Sequence, residues 1–215
     1  NDENITVRKK YLAIGLSQLI STQLEISKME NLKTMARDAE LKALQNQINP
    51  HFLFNALNTT ASFVRFNPSK ARDIIIDLST YLRYNLENSA KLVPIKKELE
   101  QVKAYVNIEK ARFHNRFEII YDFDEELDTI NIPSLTIQPL VENSIKHGIL
   151  KQRECGIVKI SIKKIYLKCL VCIEDNGIGI DQEVINNINK KIEKNIGLKN
   201  VHNRLKLIYG KGLLI

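Results

Sequence analysis

A chain of 215 residues, 44% hydrophobic, with eight glycines, five prolines and a formal net charge of +7, is long enough to bury one or two ordinary cores. No run reaches the ~18 apolar residues of a membrane-spanning helix, and the 32 basic residues are spread among 25 acids with no basic block interleaved with aromatics. That argues against a membrane span within the chain and against direct nucleic-acid binding.

The chain opens on Asn1 without a signal-peptide pattern, so it reads as a segment of something longer. Residues 5 to about 88 have helical periodicity, with Leu41, Leu44 and Ile48 continuing a long amphipathic approach and no glycine after Gly15 in this region. The pattern runs on through QNQINPHFLFNALN at 45–58. Read as one helix, this stretch puts Pro50 in the interior, where proline costs about 3 kcal/mol, and predicts a kink. With about 100° per residue and Ile48 as zero, Phe52, Leu53, Ala56, Leu57, Phe63 and Val64 fall between roughly 40° and 180°. His51 falls near 300° with Asn55 and Asn58 beside it, so all three are expected on a polar face turned from the core. A histidine satisfied inside the core would need its ring to point the other way. Asn67-Pro68, an N-cap followed by proline at the first helical position, opens a second helix through RDIIIDLSTYLRYNL. Two such helices form an antiparallel hairpin whose apolar stripes are best covered by a second copy, giving a homodimeric four-helix bundle.

From Leu92 the rhythm changes. A helix (IKKELEQVKAYVNIEKARF) leads to the strand-like run FEIIYDF, a helix near SLTIQPLVENSIKHG, two adjacent strands (IVKISIKKI and LKCLVCIED), the turn DNGIGI, a polar helix and a last helix, LKNVHNRLKLIYG. The fold class expected is α+β, helices grouped with a mostly antiparallel sheet. Cys155, Cys169 and Cys172 are too few and odd in number for a disulfide framework, which suits a reducing compartment. Cys169 and Cys172 spell C-x-x-C, but along a strand an offset of three sends side chains to opposite faces, so buried thiols are a better reading than a metal site.

An exposed neutral imidazole is a nucleophile, and phosphoryl transfer needs an in-line acceptor with charge neutralised around the γ-phosphate. No P-loop string is present. On the helix around 134–148, Asn143, Lys146 and His147 lie within about 100° of one another, opposite Ile137, Val141 and Ile145. Downstream, Asp175-Asn176-Gly177-Ile178-Gly179 follows a strand; a strand-end carboxylate accepts from an exocyclic amine and the glycines admit close backbone approach. By itself DNGIG is also good chemistry for an ordinary turn.

The strings QINPHFLFNALN, FVRFNPSKARDIIIDLSTYLRYNL, ELEQVKAYVNIEKARF, LTIQPLVENSIKHG, EDNGIGI and GLKNVHNRLKLIYG together resemble the Lyt-type sensor histidine kinases that signal to LytTR-type response regulators. The similarity runs over about residues 15 to 212. It implies a helical hairpin followed by the α/β-sandwich ATPase fold shared with gyrase, Hsp90 and MutL, with ATP and Mg²⁺ as cofactors. It also implies a homodimer, a response regulator with a receiver domain as partner, and a cytoplasmic portion of a bacterial membrane sensor whose spans precede this chain. The divisions implied are a signalling helix over 1–35, a dimerisation and phosphotransfer hairpin over 36–90, and an ATP-binding domain over 91–215, C-terminally incomplete because the family's fold continues beyond LLI. Carried over by position, His51 is the phosphoacceptor and Asn143 the Mg²⁺-binding carboxamide. Lys146 and His147 stand by the phosphates, Asp175 binds the adenine amine, Gly177 and Gly179 line its pocket, and Gly197, Leu198 and Asn200 belong to the end of the ATP lid and the helix after it.

Two further assignments are expectations of this reading. Asn55, one turn after His51, orients a water for dephosphorylating the regulator. Glu142 is either the base for the imidazole or for a water, or a solvated helix charge; Phe52 stands where many histidine kinases have an acid after the histidine. Movement of the N-terminal helix, with Pro50 as the flexing point, would control access of His51 to nucleotide. The alternatives are an ATPase clamp of the same fold that forms no phosphoenzyme, and a nucleotide-binding scaffold without catalysis.

Overall fold

The computed structural model describes residues 22, 23, 25, 27–30, 33–35, 49–87, 92–166, 168–179 and 196–214. Two compact units divide the chain at 48/49. The described residues of the first are helical and exposed. Leu41, Leu44 and Ile48 of the expected approach helix, and the polar helix after Gly179, lie outside the described residues.

In the second unit, helix α1 spans Pro50–Phe66 and α2 spans Pro68–Glu87. Asn49 is extended (φ −70°, ψ 105°) and its side-chain oxygen accepts from Phe52 N at 3.3 Å. Pro50 is thus the first helical residue, where its missing N–H costs nothing. This corrects the expectation of an interior kink: INP is a helix start, built like FNP, where Asn67 Oδ1 accepts from Lys70 N at 3.0 Å. Asn67 alone joins the helices, and its N–H donates to Phe63 O at 2.8 Å. Phe52, Ala56 and Thr60 are buried on α1, facing Ala71, Ile74, Leu78, Tyr81 and Tyr84 of α2. Leu57 and Val64, expected on the buried stripe, are instead 49% and 54% exposed, because the stripe is narrower than the sequence spacing implies.

Strands β1 (Leu92–Pro94) and β3 (Asn131–Pro133) form a short antiparallel ribbon around α3 (Ile95–Arg112) and β2 (Phe117–Phe123). After β3 come α4 (Ile137–Asn143), β4 (Gly156–Ile165), β5 (Lys168–Asp175) and α5 (Ile196–Tyr209). The main sheet has the order β2-β4-β5; β2 is parallel to β4 and β4 antiparallel to β5. It is therefore mixed, a correction to the mostly antiparallel sheet expected: the connection from β2 to β4 carries α4 and crosses over, as parallel neighbours require.

One sheet face, with Phe117, Val158, Ile160 and Ile162 buried, belongs to the core, and Cys169, Val171 and Ile173 pack against it. Cys169 and Cys172 are only half-buried, and burial pushes the Cys169 thiol up. The opposite face holds exposed pairs such as Lys163 with Asp122 at 2.5 Å and Asp124 at 3.2 Å, which contribute little to stability.

Helix α3 packs against both the hairpin and the sheet and is buried on nearly every side. Its Tyr105 joins Phe52 and Tyr81 in an aromatic cluster, with Phe52 ring centroids 4.6 Å from Tyr81 and 5.2 Å from Tyr105. Its Glu98, fully buried, receives four hydrogen bonds. Tyr84 OH donates at 2.9 Å, Leu135 N at 2.8 Å, Thr136 N at 2.8 Å and Ile137 N at 2.9 Å. Glu98 therefore caps the first turn of α4 from a neighbouring helix, satisfying N–H groups that lack an intrahelical partner. Leu135 holds φ 55°, a costly conformation for leucine, and its bond to Glu98 helps offset that strain. Beside it, Gln101 Nε2 donates to Gln138 Oε1 at 2.5 Å, and Gln138 Nε2 to Tyr81 OH at 3.1 Å.

All four groups around Glu98 are donors, so the geometry serves a carboxylate, although burial pushes its pKa upward. Glu98→Gln turns an amide donor toward these donors and is expected to cost about 3 kcal/mol in urea unfolding, against about 1 kcal/mol for Tyr84→Phe. Equal losses would contradict the capping role.

Candidate functional site

His51 is exposed on α1, on the side away from Phe52 and Ala56, as its helical angle implies. Asn55, one turn on, places its Nδ2 3.1 Å from His51 Nδ1 and 3.3 Å from Nε2. The imidazole is thereby oriented while remaining open to solvent.

On α4 the sequence-derived faces hold. Ile137, Val141 and Ile145 are fully buried, Asn143 and Lys146 are half-buried, and His147 is exposed. Beyond Asn143 the helix widens into a π turn over Ser144–Gly148, with Ile149 N–H reaching back to Ser144 O. Such widenings occur mostly at working sites, because they re-aim side chains without ending the helix. Glu142 and Lys146 form an ion pair on its flank.

The end of β5 meets this turn. Asp175 is exposed, and its Oδ1 accepts from Gly177 N at 3.1 Å. Asn176 Oδ1 accepts from Ile157 N at 2.7 Å, and Ile178 N donates to Gly148 O at 3.4 Å, so the loop is tied to both β4 and the π turn. A Cβ on Gly177 would lie 2.4 Å from the Gly148 carbonyl carbon, and one on Gly148 would lie 2.5 Å from Asp175 Oδ1. Two glycines back to back thus bring the Asp175 carboxylate beside the segment that carries Asn143, Lys146 and His147. Gly179, at φ 70°, has open space around it.

Gly197 is half-buried, Leu198 buried and Asn200 exposed at the start of α5. That helix is tied to the entry of α4 where Arg204 Nη1 donates to Ser134 O.

Sequence reading passed over Gly148, Glu109 and Arg112. Gly148 ends the same IKHG string that supplied Lys146 and His147. Glu109 follows Gln101 and Tyr105 at steps of four along α3, a polar row in a helix that the fold buries.

Residues 39–117 match the histidine kinase family model, and residues 131–212 match that of the histidine kinase-, DNA gyrase B- and HSP90-like ATPases. The chain is 51% identical over 214 residues to the sensor histidine kinase YpdA of Escherichia coli (strain K12), spanning 98% of this chain and 38% of that protein. It is 38% identical over 212 residues to the sensor protein LytS of Enterococcus faecalis (strain ATCC 700802 / V583), spanning 96% and 36% respectively. To the sensor histidine kinase/phosphatase LytS of Staphylococcus aureus (strain MRSA252) it is 35% identical over 218 residues, spanning 98% and 37%. The chain thus spans less than two fifths of the length of these relatives. No described helix is long and apolar enough to cross a membrane. A hairpin presenting an exposed histidine, continuous with an ATPase-type α/β layer, places this chain in the histidine kinase family, among its LytS-like members.

Proposed function

We propose that this chain is the catalytic portion of a two-component sensor kinase, which binds ATP beside the packed Ser144–Gly148 turn and Asp175–Gly179 loop and phosphorylates His51. The observation that carries the reading is the meeting of Gly148, Gly177 and Asp175: the glycines leave backbone where any side chain would intrude. Asp175 is exposed, so it has an oxygen available to the adenine amine, with Gly177 and Gly179 lining that pocket. Lys146 and His147 would receive the phosphates, and Gly197, Leu198 and Asn200 would close behind the nucleotide.

The donor set suits Mg²⁺, which takes oxygen ligands and keeps several waters, with the Asn143 carboxamide as its protein ligand. Bound Mg²⁺ would supply charge neutralisation at the phosphate oxygens. The His51 nitrogen bearing the lone pair attacks the γ-phosphorus; the N–P bond forms as the bond to the ADP oxygen breaks, and the other ring nitrogen gives its proton to Glu142 or to a water. Asn55 holds the ring before transfer. The phosphoryl group then passes to an aspartate on the receiver domain of a LytTR-type response regulator. In the reverse sense Asn55 orients the hydrolytic water, in keeping with the kinase/phosphatase name of one relative.

A second copy would cover the exposed apolar residues of the hairpin, among them Phe54, Leu57, Ile75 and Leu86. The domain divisions at 35/36 and 90/91, and a place on the cytoplasmic side of a membrane sensor, belong to the same proposal.

Incubation of the complete protein with γ-labelled ATP should leave label on the wild-type chain and none on His51→Gln. Label that never stays on the protein would favour an ATPase clamp. Asn55→Ala should retain autophosphorylation yet slow dephosphorylation of the regulator; unchanged dephosphorylation would remove that role. Gly177→Ala should weaken ATP binding by about tenfold, ~1.4 kcal/mol, in an equilibrium titration.

A further inference from the structure

The interface between α3 and α4 contains more charge than packing requires. Glu109 is fully buried, with Oε1 3.5 Å from Arg112 Nη1 and Oε2 without a hydrogen-bond partner among the described residues. The hydroxyl of Tyr105, one turn earlier, is likewise buried and unpartnered. Burial pushes the Glu109 carboxyl up, Arg112 and Lys146 draw it down and Glu142 pushes it up again, while the Lys146 and Glu142 side chains keep 29% and 27% of their surface exposed.

Two acids and two bases balance there. An ionised side chain out of water costs several kcal/mol unless its partners compensate, and a leucine at position 109 would satisfy the core at no such cost. Something other than packing accounts for the carboxylate.

Arg112 points to what that is. Its side chain is 26% exposed, its guanidinium lies 4.6 Å from the Phe113 ring centroid, and only Nη1 engages Glu109. Among the described residues no other carboxylate engages the rest of its five-donor fork, whose geometry suits phosphate oxygens. Lys146, on the other helix, is held by Glu142 and sits one residue before His147.

We infer that Arg112 is a further phosphate-binding residue, which with Lys146 grips the phosphate chain of a nucleoside triphosphate from two helices, and that buried Glu109 is the positioning residue that aims Arg112. The inference rests on the nucleotide site proposed above. On binding, Lys146 exchanges the Glu142 carboxylate for a phosphate oxygen. Arg112 keeps one bond to Glu109 and turns its other nitrogens to the ligand.

Displacement of a fluorescent trinitrophenyl-ATP from the full chain by ATP, ADP and adenosine tests this. Arg112→Gln should weaken ATP about tenfold or more while leaving adenosine unchanged, and Arg112→Lys should recover part of the loss. Glu109→Gln should weaken ATP in the same selective way and leave adenosine unchanged. A merely structural role would shift all three ligands together, and that result would overturn the inference. So would an unaltered ATP-over-adenosine preference in Arg112→Gln and Glu109→Gln. A wild-type chain that binds no nucleotide would overturn the underlying site as well.

Discussion

The carboxylate of Glu98 ties three parts of the molecule, α2, α3 and the entry of α4, by directional bonds. Its two oxygens take one hydroxyl from α2 and three backbone N–H groups from the entry of α4. Apolar contact between helices is non-directional and tolerates sliding; four donors converging on one buried charge do not, since any displacement leaves the charge uncompensated. The parallel chain from Tyr81 through Gln138 to Gln101 repeats the constraint one turn away. Together they fix how far along its axis α4 can sit.

That fixed start gives the far end of α4 its meaning. From an anchored first turn the helix runs only to Asn143 before widening, and the widened turn delivers Gly148 against Gly177. The distance between the Glu142–Lys146 pair and the Asp175 loop is therefore set by a rigid segment whose two ends are both pinned, one by hydrogen bonds and the other by close backbone packing. Preorganisation of this kind is what phosphoryl transfer asks of a protein, since most of its contribution lies in positioning charge.

Much of this was legible in the sequence because it followed from local rules. The outward face of His51 came from helical angle alone, and the division of α4 into an apolar and a polar side survived the π turn. The same dipeptide shows where local reading ended. Asn67-Pro68 reads as an N-cap followed by proline at the first helical position, whereas Asn49-Pro50 sits inside continuous periodicity that hides the same cap. Glu98, Gln101 and Glu109 look like ordinary solvent-facing charges and amides on α3, and their burial follows only from a helix covered on two sides by elements distant in the chain. Parallel pairing of β2 with β4 was beyond reach for the same reason, as were the three-residue strands β1 and β3. Gly148 needed the loop that packs on it before its smallness had a purpose.

Phe52 directly follows His51, and its ring is seated between Tyr81 and Tyr105. Turning α1 about its own axis to swing the imidazole toward a different neighbour therefore unseats an aromatic side chain, at a cost of about 2 kcal/mol in buried apolar surface. Torque on this helix is resisted by a detent one residue from His51, so the orientations open to its imidazole are discrete settings rather than a continuum.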